Sequence, residues 1–224
     1  MTHADRDLRQ RAILPPEALA ECSATVIGIG AVGRQVALQL AAVGVPRIQL
    51  IDFDIVEPVN LAAQGYLEAD LGRMKVEATA MVCRQINSGV EIVVEPDRFR
   101  RSKTQVGNVL FCCVDSIDTR KLIWQAVSDR AKFFVDGRMS AEVIRVLVAA
   151  DAEGRGYYPT TLFPGAEAYA GSCTARSTIF AANICAGLMV SQFSRWLRRM
   201  PVDSDLTLNL LASELNVTAA ASEL

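Results

Sequence analysis

Three glycines in Gly28-Ile-Gly-Ala-Val-Gly33 stand in the Gly-x-Gly-x-x-Gly spacing. Gly28, Gly30 and Gly33 permit a tight turn and a close backbone approach, so that amide N–H groups and a helix N-terminus face a phosphate. On its own the spacing fits ATP, NAD or a purely structural βα turn. The polar residues behind it narrow the chemistry. Asp52 lies about twenty residues past the glycines, where an acid holds ribose hydroxyls or caps a strand end. Lys75, about forty residues past them, is a cation able to hold a triphosphate. It falls at a helix start, where the helix dipole makes a positive charge slightly unfavourable. Asp54 is suited to Mg²⁺ or to orienting the loop, and Asn60 to a phosphate contact or a turn. Asp115 follows an apolar strand and offers an oxygen ligand for Mg²⁺ or a helix cap. The set points to chemistry that uses ATP rather than to hydride transfer.

Other classes are excluded by what the chain lacks. Its single histidine, His3, sits at the extreme terminus, so Ser-His-Asp and Cys-His catalysis and histidine metal sites have no imidazole to use. The six cysteines, Cys22, Cys83, Cys112, Cys113, Cys173 and Cys185, form no Cys-x-x-Cys pair. No zinc site and no disulfide framework are expected, and free thiols fit a reducing cytoplasm. A net charge of −2 without a basic stripe argues against nucleic acid. The polar first residues do not read as a secretory signal. The apolar run Ile179 to Val190 is interrupted by Asn183 and too short for a bilayer span, so no membrane partner is expected.

The positioning elements are those of an α/β chain of 224 residues, 51% hydrophobic, enough for one large domain. Strands are expected over 24–27, 47–51, 90–94, 109–114, 132–135 and 143–150, and helices over 34–43, 74–86 and 119–131. The first strand, glycine loop, helix and second strand make a βαβ unit, the context in which the glycine spacing gains meaning. Residues 54–73 form a long irregular connection, of the kind that is usually functional. Residues 153–171 read as loop, a long helix runs from about Thr174 to Arg199, and 205–217 form a last strand. The fold expected is a Rossmann-like, mainly parallel sheet with helices on both faces and some antiparallel strands toward the C-terminus. One domain over 1–224 divides into an N-terminal arm (1–23), a nucleotide-binding core (24–136) and a C-terminal extension (137–224).

From Arg6 to Arg120 the motif order resembles the ThiF/MoeB/HesA superfamily, the adenylating domains of ubiquitin-activating-like enzymes. Arg6-Asp-Leu-Arg9-Gln10 matches the opening Arg-x-x-Arg-Gln, and the glycine loop follows. Asp52-Phe-Asp54-Ile-Val56, Asn60-Leu-Ala-Ala63-Gln64, Asp70 to Lys75 and Asp115 to Arg120 match the later motifs in order. Ala63 departs from the pattern, which has arginine there, and the paired zinc cysteines of many members are absent. The C-terminal third matches less well.

The resemblance implies ATP- and Mg²⁺-dependent adenylation of the C-terminal carboxylate of a ubiquitin-like or sulfur-carrier protein ending in glycine, without zinc. It implies that Lys75 neutralises phosphate charge as pyrophosphate leaves, that Asp115 binds Mg²⁺, and that Arg9 acts as an arginine finger across a homodimer. Cys173, in Gly171-Ser-Cys-Thr-Ala-Arg176 at the expected start of the long helix, resembles the catalytic-cysteine segment of ubiquitin-activating enzymes. A helix N-terminus would raise its thiolate fraction. Three other readings stay open. One is adenylation of another carboxylate, on a peptide or a tRNA-linked amino acid. The second is a non-catalytic partner subunit lending Arg9, and the third an NAD-binding oxidoreductase.

Overall fold

In the computed structural model, residues 6–165 and 177–218 are described. After a short helix α1 (Pro16–Ala20), the chain runs β1 (Ser23–Ile27), α2 (Ala31–Val43), β2 (Arg47–Ile51) and α3 (Pro58–Gln64). It continues with α4 (Lys75–Ile86), β3 (Glu91–Glu95), β4 (Val109–Cys112), α5 (Ile117–Val127), β5 (Phe133–Ser140) and β6 (Val143–Ala149). It closes with α6 (Ala152–Tyr157), α7 (Ile179–Leu197), β7 (Asp205–Asn209) and β8 (Glu214–Thr218). All eight strands join one sheet in the order β3-β2-β1-β4-β5-β6-β7-β8. The pairings from β3 to β5 are parallel, and those from β5 to β8 are antiparallel. This is the expected mainly parallel sheet with an antiparallel C-terminal edge.

Strand alternation builds two cores. Val109 and Phe111 of β4, with Phe133 and Val135 of β5, pack under α2, α4 and α7. Their neighbours Leu110, Cys112 and Phe134 pack on the other face, with Ile123 and Trp124 of α5 and with Tyr158. Because successive strand side chains point to opposite faces, a central parallel strand covered on both faces must be apolar at every position. All four residues of β4 are accordingly buried.

Several boundaries differ from the sequence reading. The connection 54–73 contains α3, which Pro58 opens at a position needing no amide donor. Asn60 Oδ1 accepts the Glu57 amide at 2.9 Å, fixing the helix entry. A 3₁₀ turn over Glu68–Asp70 follows. The segment 153–171, read as loop, begins with α6 and a 3₁₀ turn, Tyr158–Thr161. Asp151 caps α6 by accepting the Gly154 amide at 2.8 Å, and fully buried Tyr158 anchors the turn against Trp124 and Phe134. These tertiary contacts outweigh the low helix propensity of the glycines. The last strand is a hairpin, β7 and β8, turning through Leu210–Ser213. β5 continues past Gly137 to Ser140 and pairs there with β6. α7 starts at Ile179, later than expected, with Thr178 Oγ1 accepting the Ala181 amide at its N-cap.

Candidate functional site

The parallel strands β1, β2 and β4 end on one edge, where the glycine loop, Asp52, Asp54, Lys75 and the segment after β4 come together. Backbone geometry makes the glycine loop. Gly28 adopts φ +86, and a side chain on it would strike the Cys113 carbonyl at 2.8 Å. A Cβ on Gly33 would lie 1.8 Å from the Gly28 carbonyl oxygen. No other residue fits either place, and the packing brings the first turn of α2 onto the end of β1. Gly30 is the N-cap of α2, and a Cβ there would meet open space.

Asp52 is wired into the loop. Its Oδ2 accepts the Ile29 amide at 2.6 Å and its Oδ1 accepts the Asp54 amide at 2.8 Å. Burial pushes its carboxyl above the usual range, against the pull of those two amides and of Lys75. Asp52 therefore links the strand-end turn after β2 to the glycine loop after β1.

Lys75 opens α4 and is 6% exposed. Its Nζ donates to Asp54 Oδ2 at 3.0 Å, and its amide donates to the Asp54 carbonyl at 2.9 Å. Asp54, half open to solvent, thus holds the ammonium at this edge of the sheet. Asn60 is buried, with its carbonyl oxygen engaged by Glu57 as described above. Asp70 is fully buried and its Oδ2 accepts the Leu67 amide at 3.0 Å.

Asp115 is exposed, just beyond the end of β4. The cap of α5 is Ser116, which accepts the Thr119 amide, so Asp115 is not occupied as a cap. Among the described residues no group of three or more His, Cys, Asp or Glu is placed to hold a metal ion. A single exposed carboxylate nevertheless fits Mg²⁺, which is usually bound by one or two carboxylates together with substrate phosphates.

Beneath Asp115 lies a buried ion network absent from the sequence reading. Asp136, fully buried in the middle of β5, accepts from Arg120 Nε at 2.8 Å, Arg138 Nε at 2.8 Å and Tyr158 OH at 3.0 Å. Arg120, five residues past Asp115, also donates to the Gly137 carbonyl at 3.0 Å. The motif arginine therefore anchors α5 to β5. Arg138 is likewise absorbed by Asp136 and Thr161.

Arg9 stands far from this edge. Arg6 donates to the carbonyls of Ala42 and Ile86 at 2.9 and 3.0 Å, and Gln10 Nε2 donates to Val43 at 3.2 Å. The arm is thereby pinned to the C-terminal ends of α2 and α4, with Arg9 exposed. From Ala31 to Ala42 the helix rises about 17 Å, so Arg9 and the glycine loop of the same chain lie at opposite ends of α2.

Cys173 lies outside the described residues. The chain leaves them at Gly165, where a Cβ would lie 2.4 Å from Asp118 Oδ2. It returns at Ser177, two residues before Ile179, whose Cδ1 would touch a side chain on Gly65 at 3.0 Å. The remaining five cysteines are held as thiols by burial. Cys22 is pushed up to about 11, Cys83, Cys112 and Cys185 to about 12, and Cys113 also well above its usual value.

Two further residues beside the glycine loop were not singled out from sequence. Tyr66 donates its hydroxyl to the Ile29 carbonyl of the glycine loop at 2.7 Å. Arg34, directly after the third glycine, is 5% exposed and stacks over the Tyr66 ring at 4.8 Å. A cation among the buried residues of α2 was the available signal for Arg34. Nothing in the sequence distinguishes Tyr66 from an ordinary core residue.

Comparison with known proteins agrees with this architecture. The ThiF family model matches residues 8–219. Adenylyltransferase and sulfurtransferase MOCS3 of Mus musculus is 36% identical over 110 residues, 47% of this chain and 24% of that protein. The NEDD8-activating enzyme E1 catalytic subunit of Arabidopsis thaliana is 29% identical over 144 residues, 62% of this chain and 32% of that protein. The chain thus spans about a quarter to a third of the length of these relatives. The crystal structure of PaaA superposes with a TM-score of 0.77 at 19% identity, covering 99% of this chain and 84% of that one. E. coli MccB solved with ATP superposes with a TM-score of 0.72 at 14% identity, covering 92% of this chain and 66% of that one.

Proposed function

The chain belongs to the ThiF family, and from that premise we propose that it uses ATP and Mg²⁺ to adenylate the C-terminal carboxylate of a glycine-ended ubiquitin-like or sulfur-carrier protein. The observation that carries this reading is the convergence of the glycine loop, Asp52 and a nearly buried Lys75 on one sheet edge, with Asp115 exposed beside them. An ionised carboxylate attacks the α-phosphorus, the bond from that phosphorus to the bridging oxygen breaks, and pyrophosphate leaves with the electron pair. No proton moves in this step, which suits a chain whose single histidine is His3.

Each residue then has a task. The α2 N-terminus and loop amides cradle phosphate. Asp52 holds the ribose hydroxyls while bracing the loop. Lys75, aimed by Asp54, opposes the charge that builds on the departing phosphates and so favours the transition state over the ground state. Asn60 lies on α3 at the phosphate side. Asp115 would hold Mg²⁺ jointly with the nucleotide, the ion supplying charge neutralisation on the leaving pyrophosphate.

Arg9 acts in trans, from a second copy. The pinned arm supports this, since α2 separates Arg9 from its own glycine loop. Exposed Leu8 and Ile13 on the arm, with Phe180 and Ile184 on the outer face of α7, offer apolar surface for a homodimer. Transfer of the acyl group to a thiol of this chain falls to Cys173, because burial disarms the other five cysteines.

ATP–pyrophosphate exchange with candidate glycine-ended proteins tests the reading, with Lys75→Ala and Asp115→Ala as controls. Exchange that requires the protein partner and vanishes in both variants supports it. A different carboxylate is the second reading, consistent with the fold shared with MccB, which has been solved with MccA. Exchange driven by a peptide, with no response to any ubiquitin-like protein, would favour that reading instead.

A further inference from the structure

Three buried polar atoms among the described residues have no hydrogen-bond partner: Arg34 Nε, Gln64 Oε1 and Asp70 Oδ1. All three belong to residues around the same turn after α3. Arg34 is the most anomalous. It is 95% withdrawn from solvent, yet among the described residues its guanidinium makes no hydrogen bond and no ion pair, and it stacks on the Tyr66 ring. A buried charge without a paired anion is strongly disfavoured, and a native structure that keeps one calls for a reason. Burial also pulls Arg34 below its ordinary value, with Asp70 too far for an ion pair and only partly offsetting this.

The position of Arg34 says which anion is missing. It is the first residue after the glycine loop, and its amide donates to the Gly30 carbonyl at 3.1 Å. Side chains on a helix slant toward its N-terminus, here toward the loop. The ring it stacks on is tied to that loop through the bond from Tyr66 to the Ile29 carbonyl. Arg34 Nη1 lies 3.8 Å from the point where a side chain on Gly65 would begin, so the guanidinium sits against the C-terminus of α3. Ala63, two residues before Gly65, is the position where the family pattern has arginine and this chain has none.

We infer that Arg34 is a ligand of the nucleotide's triphosphate chain, supplying from α2 the guanidinium charge that the motif on α3 lacks at Ala63. This rests on the ATP-using reading above. A guanidinium clamps phosphate oxygens with paired N–H donors. Held dry against Tyr66 before the nucleotide arrives, it has no water shell to shed and little side-chain entropy to lose.

The test is calorimetric binding of ATP, tripolyphosphate and AMP to the full chain and to Arg34→Met, Arg34→Lys and Arg34→Met/Ala63→Arg. Arg34→Met should weaken ATP and tripolyphosphate by about ten- to a hundredfold, the scale of a lost charged hydrogen bond. It should leave AMP within about twofold. Arg34→Lys should recover part of the loss as a point charge without the fork, and the double variant should recover ATP binding relative to Arg34→Met. If the folded Arg34→Met variant binds ATP as the parent does, or loses ATP and AMP equally, Arg34 is a structural brace and the inference fails. If the parent chain binds AMP but neither ATP nor tripolyphosphate, the ATP-using reading itself fails.

Discussion

Lys75 Nζ and Asp54 Oδ2 lie 3.0 Å apart, and the same two residues are joined a second time through their main chains. The double tie closes the connection between β2 and α4 into a loop whose stem is this ion pair. Asp54→Asn keeps the shape but removes the charge that aims the ammonium. We expect exchange activity to fall about tenfold, against about a hundredfold or more for Lys75→Ala. Pyrophosphate exchange measured across ATP concentration checks both, and equal losses would mean that Asp54 itself contacts the reacting groups.

Arg9 at one end of α2 and the glycine loop at the other require a second copy if Arg9 touches nucleotide. Arg9→Ala and Lys75→Ala should each be nearly inactive alone. Mixed and allowed to exchange subunits, they should regain up to about a quarter of parental activity, since a heterodimer contains one intact composite site. No recovery, with heterodimer formation established by native mass spectrometry, would show that Arg9 does not act across the dimer, and an Arg9→Ala variant as active as the parent would place it outside the reaction.

Asp136 carries three donors in a fully buried place, Arg120, Arg138 and Tyr158. Removing the acid leaves the buried Arg120 guanidinium and the partly buried Arg138 without their anion. Asp136→Ala should destabilise the fold by about 3–5 kcal/mol. Denaturant unfolding measures this; a change below about 1 kcal/mol would show that water replaces the carboxylate.

Asp205 is opposed by burial, yet Arg145, which grips both its oxygens at 2.9 and 2.6 Å, and the Tyr157 hydroxyl at 2.8 Å draw its carboxyl below the usual range. A carboxyl with a depressed folded value adds stability that is complete above its unfolded value near 4 and is lost as pH falls through the folded value. Asp205→Asn should therefore cost about 1 kcal/mol at pH 7, and the gap to the parent should close below about pH 4. Melting curves from pH 7 to pH 3 follow it. A gap that stays constant would trace the loss to packing.

The strands were legible because burial on both faces leaves a clear signature: β4 is apolar at every position, and the glycine spacing directly follows the largely buried β1. The helices in 54–73 and 153–171 were not, because their reasons lie elsewhere in the chain. α6 depends on Asp151 as a cap and on Arg155 reaching the carbonyls of Ser128 and Ala131, and Tyr158 on an aromatic pocket contributed by α5 and β5. In the site, side chains belonging to ordered motifs could be named in advance. Tyr66 could not, since its role is one long-range hydrogen bond to Ile29. The docking of the arm on α2 was equally invisible, because it uses backbone carbonyls that carry no sequence identity.

The most direct measurement is a label-transfer experiment with ATP carrying its label at the α-phosphate in one arm and at the γ-phosphate in the other. Each is incubated with this chain, Mg²⁺, pyrophosphatase and a glycine-ended ubiquitin-like protein, then resolved under conditions that keep an acyl adenylate intact. The account predicts α-label on the small protein, γ-label released as phosphate, and neither with Lys75→Ala. Label from the γ-position on any protein, or nucleotide turnover that leaves no α-label on a carboxylate, would contradict adenylation as the reaction of this site.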